Sequence, residues 1–379
     1  MRNPKKHKTS IILKLIIFTL YLVPLILFPD RNTDFGKKLF FKWDLNQNKK
    51  LEIDELPKHA RKNFQKVDVN NDGSISLNEH LVFLTKNNNS RNNSNFRIIQ
   101  DIPYAGTKNP RQSLDLFIPQ EINKKDNLPL VIWIHGGGWK KGTKKSGHLP
   151  HRLPSIVETG KYIGACIGYR LSGEAIWPAQ IHDCKAAIRW LYGNANKYRI
   201  DTNKIAVWGS SAGGHLASML GVTNKRSQFD GALGNHLDQP CTIHTVLNYY
   251  GPSDLLTMND YPSKIDHNAH DSPESQLLGF PIQEKKNLTK KASPISYTHK
   301  IHASFIHFHG TNDLLVPYPQ SKIFHQTLKN AGVNSILITL KNGGHSMPDN
   351  FTQKYVLPYL DFTLLGIGEL PEDKTILSN

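Results

Sequence analysis

The chain has 379 residues, of which 38% are hydrophobic and 21% charged, with six Trp, 13 Tyr and 16 Phe; this is enough apolar material for more than one packed core and excludes a low-complexity or disordered chain. Lys and Arg outnumber Asp and Glu by 47 to 31, a formal net charge of +16. The basic residues are scattered and no nucleic-acid module accompanies them, so a solvated basic surface is expected and nucleic acid is not an expected partner. The three cysteines, Cys166, Cys184 and Cys241, have no metal or redox spacing, and Cys166 and Cys184 fall in apolar strand and helix patterns that suit core residues.

In chain order, Arg2, Lys5, Lys6 and Lys8 precede an apolar run at residues 11–28, interrupted by Lys14. A positive flank followed by a hydrophobic run is the pattern of an export signal or a membrane anchor. No small-residue cleavage site follows, because the run ends in Phe28-Pro29-Asp30. Residues 1–30 are therefore expected to be a signal peptide or an anchor, and the protein is expected to be exported: periplasmic, extracellular or membrane-anchored.

Residues 31–86 form a small polar module. Within it, residues 68–79 read DVNNDGSISLNE. Asp68, Asn70, Asp72 and Glu79 stand at the alternating oxygen-ligand positions of a twelve-residue EF-hand loop, Ser74 at the backbone-carbonyl position and Gly73 at the sharp turn. Residues 44–55, DLNQNKKLEIDE, repeat the pattern more weakly. Asp44, Asn46, Asn48 and Glu55 fit it, with Lys50 at the carbonyl position, but Lys49 replaces the turn glycine. One helix over residues 56–67 is expected to serve both loops. The arrangement resembles the compact EF-hand pairs of exported bacterial proteins, and implies Ca2+ as a structural staple for a module too small to hold itself together. No catalytic role is expected for that ion. Residues 87–95, NNNSRNNSN, read as a flexible linker.

From residue 96 to 368 short apolar runs alternate with helical periodicity. Residues 130–134, 163–169, 205–208, 245–249, 305–308 and 335–340 read as buried strands, and residues 181–198 and 318–330 as amphipathic helices. The alternation predicts an α/β fold: a mostly parallel central sheet with helices on both faces. Residues 369–379 read as a solvated tail.

Three motifs fall at strand ends, where such sheets place their sites. Gly209-Ser210-Ser211-Ala212-Gly213 joins a strand to a helix as a G-x-S-x-G elbow, making Ser211 the candidate nucleophile. His135-Gly136-Gly137-Gly138-Trp139 follows an earlier strand. There the amides of Gly137 and Gly138, with that of Ala212, would form an oxyanion hole. Asp313, in His309-Gly310-Thr311-Asn312-Asp313, and His345, in Gly343-Gly344-His345, follow later strands in the order Ser, Asp, His. They are the candidate acid and base; Asp254 is the rival acid. His302, His307 and His309 are read as structural. Trp139, Tyr169 and Trp177 suit either a pocket or the core. The polar, irregular segment 253–300 is expected to lie over the site.

HGGGW, PAQIHDCKAAIRWL, GSSAGGHLA, YYGPSDL, HGTNDLLVP and GGH together resemble the α/β-hydrolase serine esterases, most closely the bacterial feruloyl and acetyl esterases that act on plant polysaccharide esters. The resemblance spans about residues 130–345. It implies a carboxylic-ester hydrolase working through an acyl-enzyme, with acetyl or feruloyl esters of carbohydrates as substrates and Asp183 as a residue that supports the fold. Arylformamidases share the HGG-x-W and S-A-G-x-H features, so an amide hydrolase is the enzymatic alternative. A non-catalytic, calcium-stabilised carbohydrate-binding or adhesion protein is the alternative of another class.

Overall fold

The computed structural model describes residues 31–92, 94–123, 126–224, 226–299 and 301–378, so the apolar segment within residues 1–30 lies outside the described residues. Among those described, no helix is long and apolar enough to cross a membrane. Contacts divide the chain into two units, Met1–Asn93 and Ser94–Asn379.

The first unit contains α1 (Arg31–Trp43), β1 (Lys50–Leu51), α2 (Lys58–Arg61), α3 (Phe64–Val67), β2 (Ile75–Ser76) and α4 (Leu77–Asn92). β1 and β2 pair antiparallel with Leu51 opposite Ile75, and these two pack with Phe40, Leu56, Phe64 and Val67 in a small buried cluster. Two expectations are corrected here. The single helix expected over residues 56–67 is two short ones, interrupted at Lys62 and Asn63; Asn63 sits at φ −101°, ψ 0°, and Asn competes for its own backbone hydrogen bonds. The expected flexible linker is helical as far as Asn92, because α4 runs on through it. Once a helix is nucleated each added residue gains a hydrogen bond, and Asn costs only about 0.7 kcal/mol relative to Ala.

The second unit is built on strands β3 (Phe96–Pro103), β4 (Ser113–Pro119), β5 (Leu128–Ile134), β6 (Ile163–Ile167), β7 (Ile200–Ser210), β8 (Thr245–Tyr249), β9 (Ser304–Gly310), β10 (Ser335–Lys341) and β11 (Lys374–Leu377). They form one nine-stranded sheet in the order β11-β10-β9-β8-β7-β5-β6-β4-β3. The pairings from β11 to β6 are parallel, and β4 and β3 add an antiparallel edge. The expected solvated tail is corrected at Lys374–Leu377, which pairs with residues 338–341 of β10 as a mostly exposed edge strand. Its polar, unburied sequence carries no core signal, but backbone pairing alone suffices at a sheet edge.

Alternation along the strands sorts the core into two layers. Leu130, Ile132 and Ile134 of β5 point into one cluster, Val131 and Trp133 into the other. The first face is covered by α6 (Ala179–Gly193), α8 (Ala212–Val222) and α11 (Pro319–Asn330), and the second by α5 (Leu153–Val157) and residues 351–365. Each Leu or Ile buried this way contributes roughly 1.5–3 kcal/mol. Asp183 on α6 is fully buried, and it takes Arg170 Nη2 at 2.8 Å, the Arg170 amide at 2.8 Å and Gln112 Nε2 at 2.8 Å. It clamps the loop after β6 to the helix beneath it. Cys166, Cys184 and Cys241 are buried and free.

Asp115 on β4 is a second buried carboxylate, 0% exposed. Lys145 Nζ lies 2.9 Å away, His148 Nε2 2.7 Å and Lys144 Nζ 3.4 Å, and the Asp101 amide donates at 2.7 Å. Burial alone would raise its pKa; the hydrogen bonds from His148, the Asp101 amide and Lys145, with the charge of Lys144, hold it well below the usual carboxylate range. A carboxyl whose pKa is depressed on folding stabilises the fold above its unfolded pKa, and that stabilisation is lost as the pH falls through the folded value. Asp115→Asn should therefore lower stability by about 3 kcal/mol at pH 7, and the gap to wild type should shrink at pH 3. Urea unfolding at the two pH values checks this; an equal gap at both would contradict it.

Candidate active site

The sheet order reverses beside β5: β6 lies on one side of it and β7 on the other. Loops leaving a sheet at such a point diverge and open a crevice beyond the strands' carboxyl ends. Register puts Ile134 opposite Gly209, Ser210 opposite Tyr249, and Gly310 opposite Leu340, so these strands end along a single edge.

Ser211 stands between β7 and α8 at φ 55°, ψ −123°, a left-handed conformation costly for a residue with a side chain. The turn closes because glycines flank it: a Cβ on Gly209 would lie 2.2 Å from the Gly213 carbonyl oxygen. The Ser211 amide donates to Tyr249 O at 2.8 Å and its carbonyl accepts from the His215 amide at 3.0 Å, which pins the strained residue from both sides. Ala212 opens α8, where the first amides have no partner within the helix.

The loop after β5 holds Gly137, Gly138 and Trp139 at φ 115°, 57° and 54°. At Gly137 a Cβ would meet Lys141 O at 2.2 Å, so only glycine lets this turn close. Tyr169 donates its hydroxyl to His135 O at 2.9 Å and stacks on the His135 ring at 4.2 Å, holding the base of the loop from below. Lys144, Lys145 and His148 follow the loop directly, so Asp115 also fastens its downstream end.

Asp313 leaves the end of β9 and His345 the end of β10. Their loops are joined by backbone bonds from Thr311 to Leu340 O at 2.9 Å and from Asn312 to Gly343 O at 2.8 Å. His345 Nδ1 lies 2.6 Å from Asp313 Oδ2. Asp313 Oδ1 accepts from the amides of Leu315 and Val316 at 2.8 and 3.0 Å. Burial would raise the pKa of this carboxyl; the hydrogen bonds from His309 and then His345 outweigh burial and hold it well below the usual range, so it stays ionised. His309 Nε2 lies 2.9 Å from Val316 O and 3.2 Å from Asp313 Oδ2, and its Nδ1 is 2.8 Å from Ser321 Oγ. His309, read from sequence as structural, thus shares the carboxylate with His345. The HxxxD spacing carries that signal only once a strand end is known to lie between the two residues. The rival acid, Asp254, instead caps the turn that follows it, accepting from the Leu256 amide at 3.1 Å.

Ser211, Ala212, His345, Gly137 and Gly138 line one cavity of about 740 Å³. Trp139 lines it too, though buried, while Tyr169 belongs to the core and Trp177 packs edge-on to His215 at 5.7 Å. Part of segment 253–300 reaches the cavity through Lys264, Asp266, Asp271 and Glu274. Two further residues stand out only in three dimensions: Arg152, which lines the cavity, and Tyr250, whose ring centre is 4.4 Å from that of His345.

In the first unit both loops trace the same path. Gln47 and Lys49 in one, and Asn71 and Gly73 in the other, take positive φ at matching offsets. Asp44 Oδ2 accepts from the Lys49 amide at 3.0 Å, and Asp68 Oδ2 from the Gly73 amide at 3.0 Å. Glu55 accepts from the Leu45, Asn46 and Glu52 amides, as Glu79 does from those of Val69, Asn70 and Ser76. Asn46 and Asn48 accept from the Asn48 and Lys50 amides; Asn70 and Asp72 accept from those of Asp72 and Ser74. Asp44 and Asp68 are buried, and Asp44 Oδ1 has no hydrogen-bond partner. Among the described residues no three His, Cys, Asp or Glu gather into a metal-binding group. A cation here would need the Asn and backbone oxygens beside the carboxylates, the donor mixture suited to a hard ion.

The BD-FAE family model matches residues 114–328. Over 249 residues the chain is 32% identical to Esterase LipQ of Mycobacterium tuberculosis, covering 65% of this chain and 56% of that protein. It is 27% identical over 237 residues to Esterase LipC of the same organism, covering 62% and 57%. The chain thus spans about half the length of the curated relatives it matches. Among solved structures, a truncated carbohydrate esterase from gut microbiota superposes with a TM-score of 0.64 at 31% identity, covering 72% of this chain and 96% of that one. A bifunctional GH43-CE protein of Bacteroides eggerthii gives 0.64 at 30% identity, with 70% and 35% covered. With this match over more than half its length and the sheet described above, the chain belongs to the BD-FAE family and carries the crevice described above on an α/β-hydrolase fold.

Proposed function

We propose that this protein is a serine carboxylesterase that acts through an acyl-enzyme on acyl esters of carbohydrates, acetyl or feruloyl. One observation supports the reading most: His345 is hydrogen-bonded to a buried, ionised Asp313 at 2.6 Å and lines the same cavity as the strained Ser211. Ser211 Oγ attacks the ester carbonyl carbon while His345 Nε2 takes its proton, Asp313 holding the other nitrogen and stabilising the imidazolium. The amides of Gly137, Gly138 and Ala212 bind the oxygen that becomes negative, each worth roughly 3–4 kcal/mol in the transition state. Collapse breaks the bond to the alkoxy oxygen. The proton on His345 goes to the departing alcohol, and a water molecule then repeats the sequence on the acyl-serine. The carbohydrate part of the reading is supported by the likeness to the gut-microbial carbohydrate esterase.

Each loop of the first unit is further proposed to bind Ca2+, through Asp68, Asn70, Asp72, Ser74 and Glu79 in one and Asp44, Asn46, Asn48, Lys50 and Glu55 in the other. Ser74 and Lys50 would contribute backbone carbonyls. The orphaned Asp44 Oδ1 and the matching turns support this. The ion would act as a staple for a unit whose buried apolar cluster is small. The positive flank and apolar run in residues 1–30 support an exported location.

Hydrolysis of a chromogenic aryl acetate by the purified protein tests the mechanism. Ser211→Ala should lower kcat by on the order of a millionfold, and Asp313→Asn by on the order of ten-thousandfold. Turnover unchanged by Ser211→Ala would contradict it. For the loops, Ca2+ at a hundredfold over its Kd should stabilise the first unit by about 2.7 kcal/mol. Glu79→Gln should weaken that response, and ester turnover should persist in chelator. Melting curves with Ca2+ and with chelator check this, and coincident curves would contradict it.

A further inference from the structure

The catalytic cavity is lined by three acidic groups that the hydrolytic steps leave unused. Asp266, Asp271 and Glu274 all line it, but their surroundings differ. Asp266 and Asp271 are exposed, whereas Glu274 is only 3% exposed. A buried carboxylate has given up most of its water and offers about four lone-pair sites to whatever donors remain. Among the described residues its hydrogen-bond partner is His267, whose Nδ1 lies 3.0 Å from Oε2.

His267 is itself fully buried and held on both sides. Its Nε2 lies 3.1 Å from Ser263 Oγ, which donates to Leu314 O at 3.0 Å, and its amide donates to Asn259 Oδ1 at 2.8 Å. Leu314 follows Asp313, so the carboxylate is braced from behind against the loop of the catalytic acid. On the other side Pro273, next to Glu274, abuts the glycine loop: a Cβ on Gly138 would sit 3.3 Å from the Pro273 Cβ. Glu274 therefore lines the cavity from between two loops of the reaction centre, with Oε2 held by His267 and no hydrogen bond to Oε1 among the described residues.

We propose that Glu274 is a specificity-determining residue, its free oxygen accepting hydrogen bonds from hydroxyls on the alcohol part of the ester. The site then prefers esters of polyhydroxylated ring alcohols to esters of plain alcohols of the same size. The inference rests on the esterase reading above and deepens it. A site built around a buried acceptor rejects the analogue that leaves it unpaired. His267 is a positioning residue that acts through Glu274.

The test compares kcat/KM of the full chain for a monoacetylated methyl pyranoside and for cyclohexyl acetate, a ring of equal size without hydroxyls. Wild type should favour the pyranoside by at least about tenfold, and Glu274→Gln should reduce that ratio by at least about tenfold, chiefly through KM. A wild-type enzyme with no preference would overturn the proposal, however the variant folds. So would an unchanged ratio in a variant whose rates fall equally on both esters, since Glu274 would then merely hold the segment in place. Absence of Ser211-dependent hydrolysis of either ester is a distinct result: it would overturn the esterase reading, and this inference with it.

Discussion

Parallel strands put all their carboxyl ends on one edge of a sheet, and the site of this protein depends on that constraint. Hydrogen-bonded register carries Ile134, Ser210, Tyr249, Gly310 and Leu340 to the same edge. Each loop leaving it then needs to supply one group: glycine amides after β5, a serine after β7, an aspartate after β9 and a histidine after β10. Where the strand order reverses beside β5, the loops part and leave room for a substrate. The backbone of Ser211 is strained, and the close contacts of Gly209 and Gly213 hold it in that conformation.

The buried carboxylates of the second unit follow a common rule: each is met by nearby cations or hydrogen-bond donors. Asp183 has Arg170 and Gln112, Asp115 has Lys144, Lys145 and His148, and Asp313 has His309, His345 and two amides. Two of the three serve the site indirectly. Asp115 fastens the chain just after the glycine loop, and Asp183 fastens the loop after β6, from which Tyr169 supports His135. Asp313 is the member of the set that holds the imidazole directly. Glu274 departs from the rule, since among the described residues a single histidine answers it, at one oxygen, and it lines the cavity.

Much of this is legible in the sequence, because the fold is encoded by local signals. The apolar runs of β5 to β10 announce buried strands. The elbow and the glycine loop must carry small residues wherever backbones approach closely, so their motifs survive as strings. Ser211, Asp313 and His345 stand out as candidates for the same reason, each following such a strand. What is missed lacks a local cause. β11 is an exposed edge strand held by backbone pairing. β4, although fully buried, is broken up in sequence by Asp115, whose cations come from thirty residues further along the chain. The Asn-rich stretch extends a helix nucleated upstream, against its composition. His309, Tyr250 and Glu274 acquire their meaning from neighbours brought together by the fold, and no spacing in the chain foretells it.

The central claim is that Ser211 is a nucleophile activated by its surroundings, and covalent labelling tests it most directly. A fluorophosphonate reacts with a serine hydroxyl only where a base removes the proton and an oxyanion hole receives the phosphoryl oxygen. Stoichiometric loss of esterase activity with a single phosphonyl group on the peptide bearing Ser211, found by mass spectrometry, is the expected result. Hydrolysis that persists with Ser211 unlabelled, or inactivation that tracks a different residue, would contradict it.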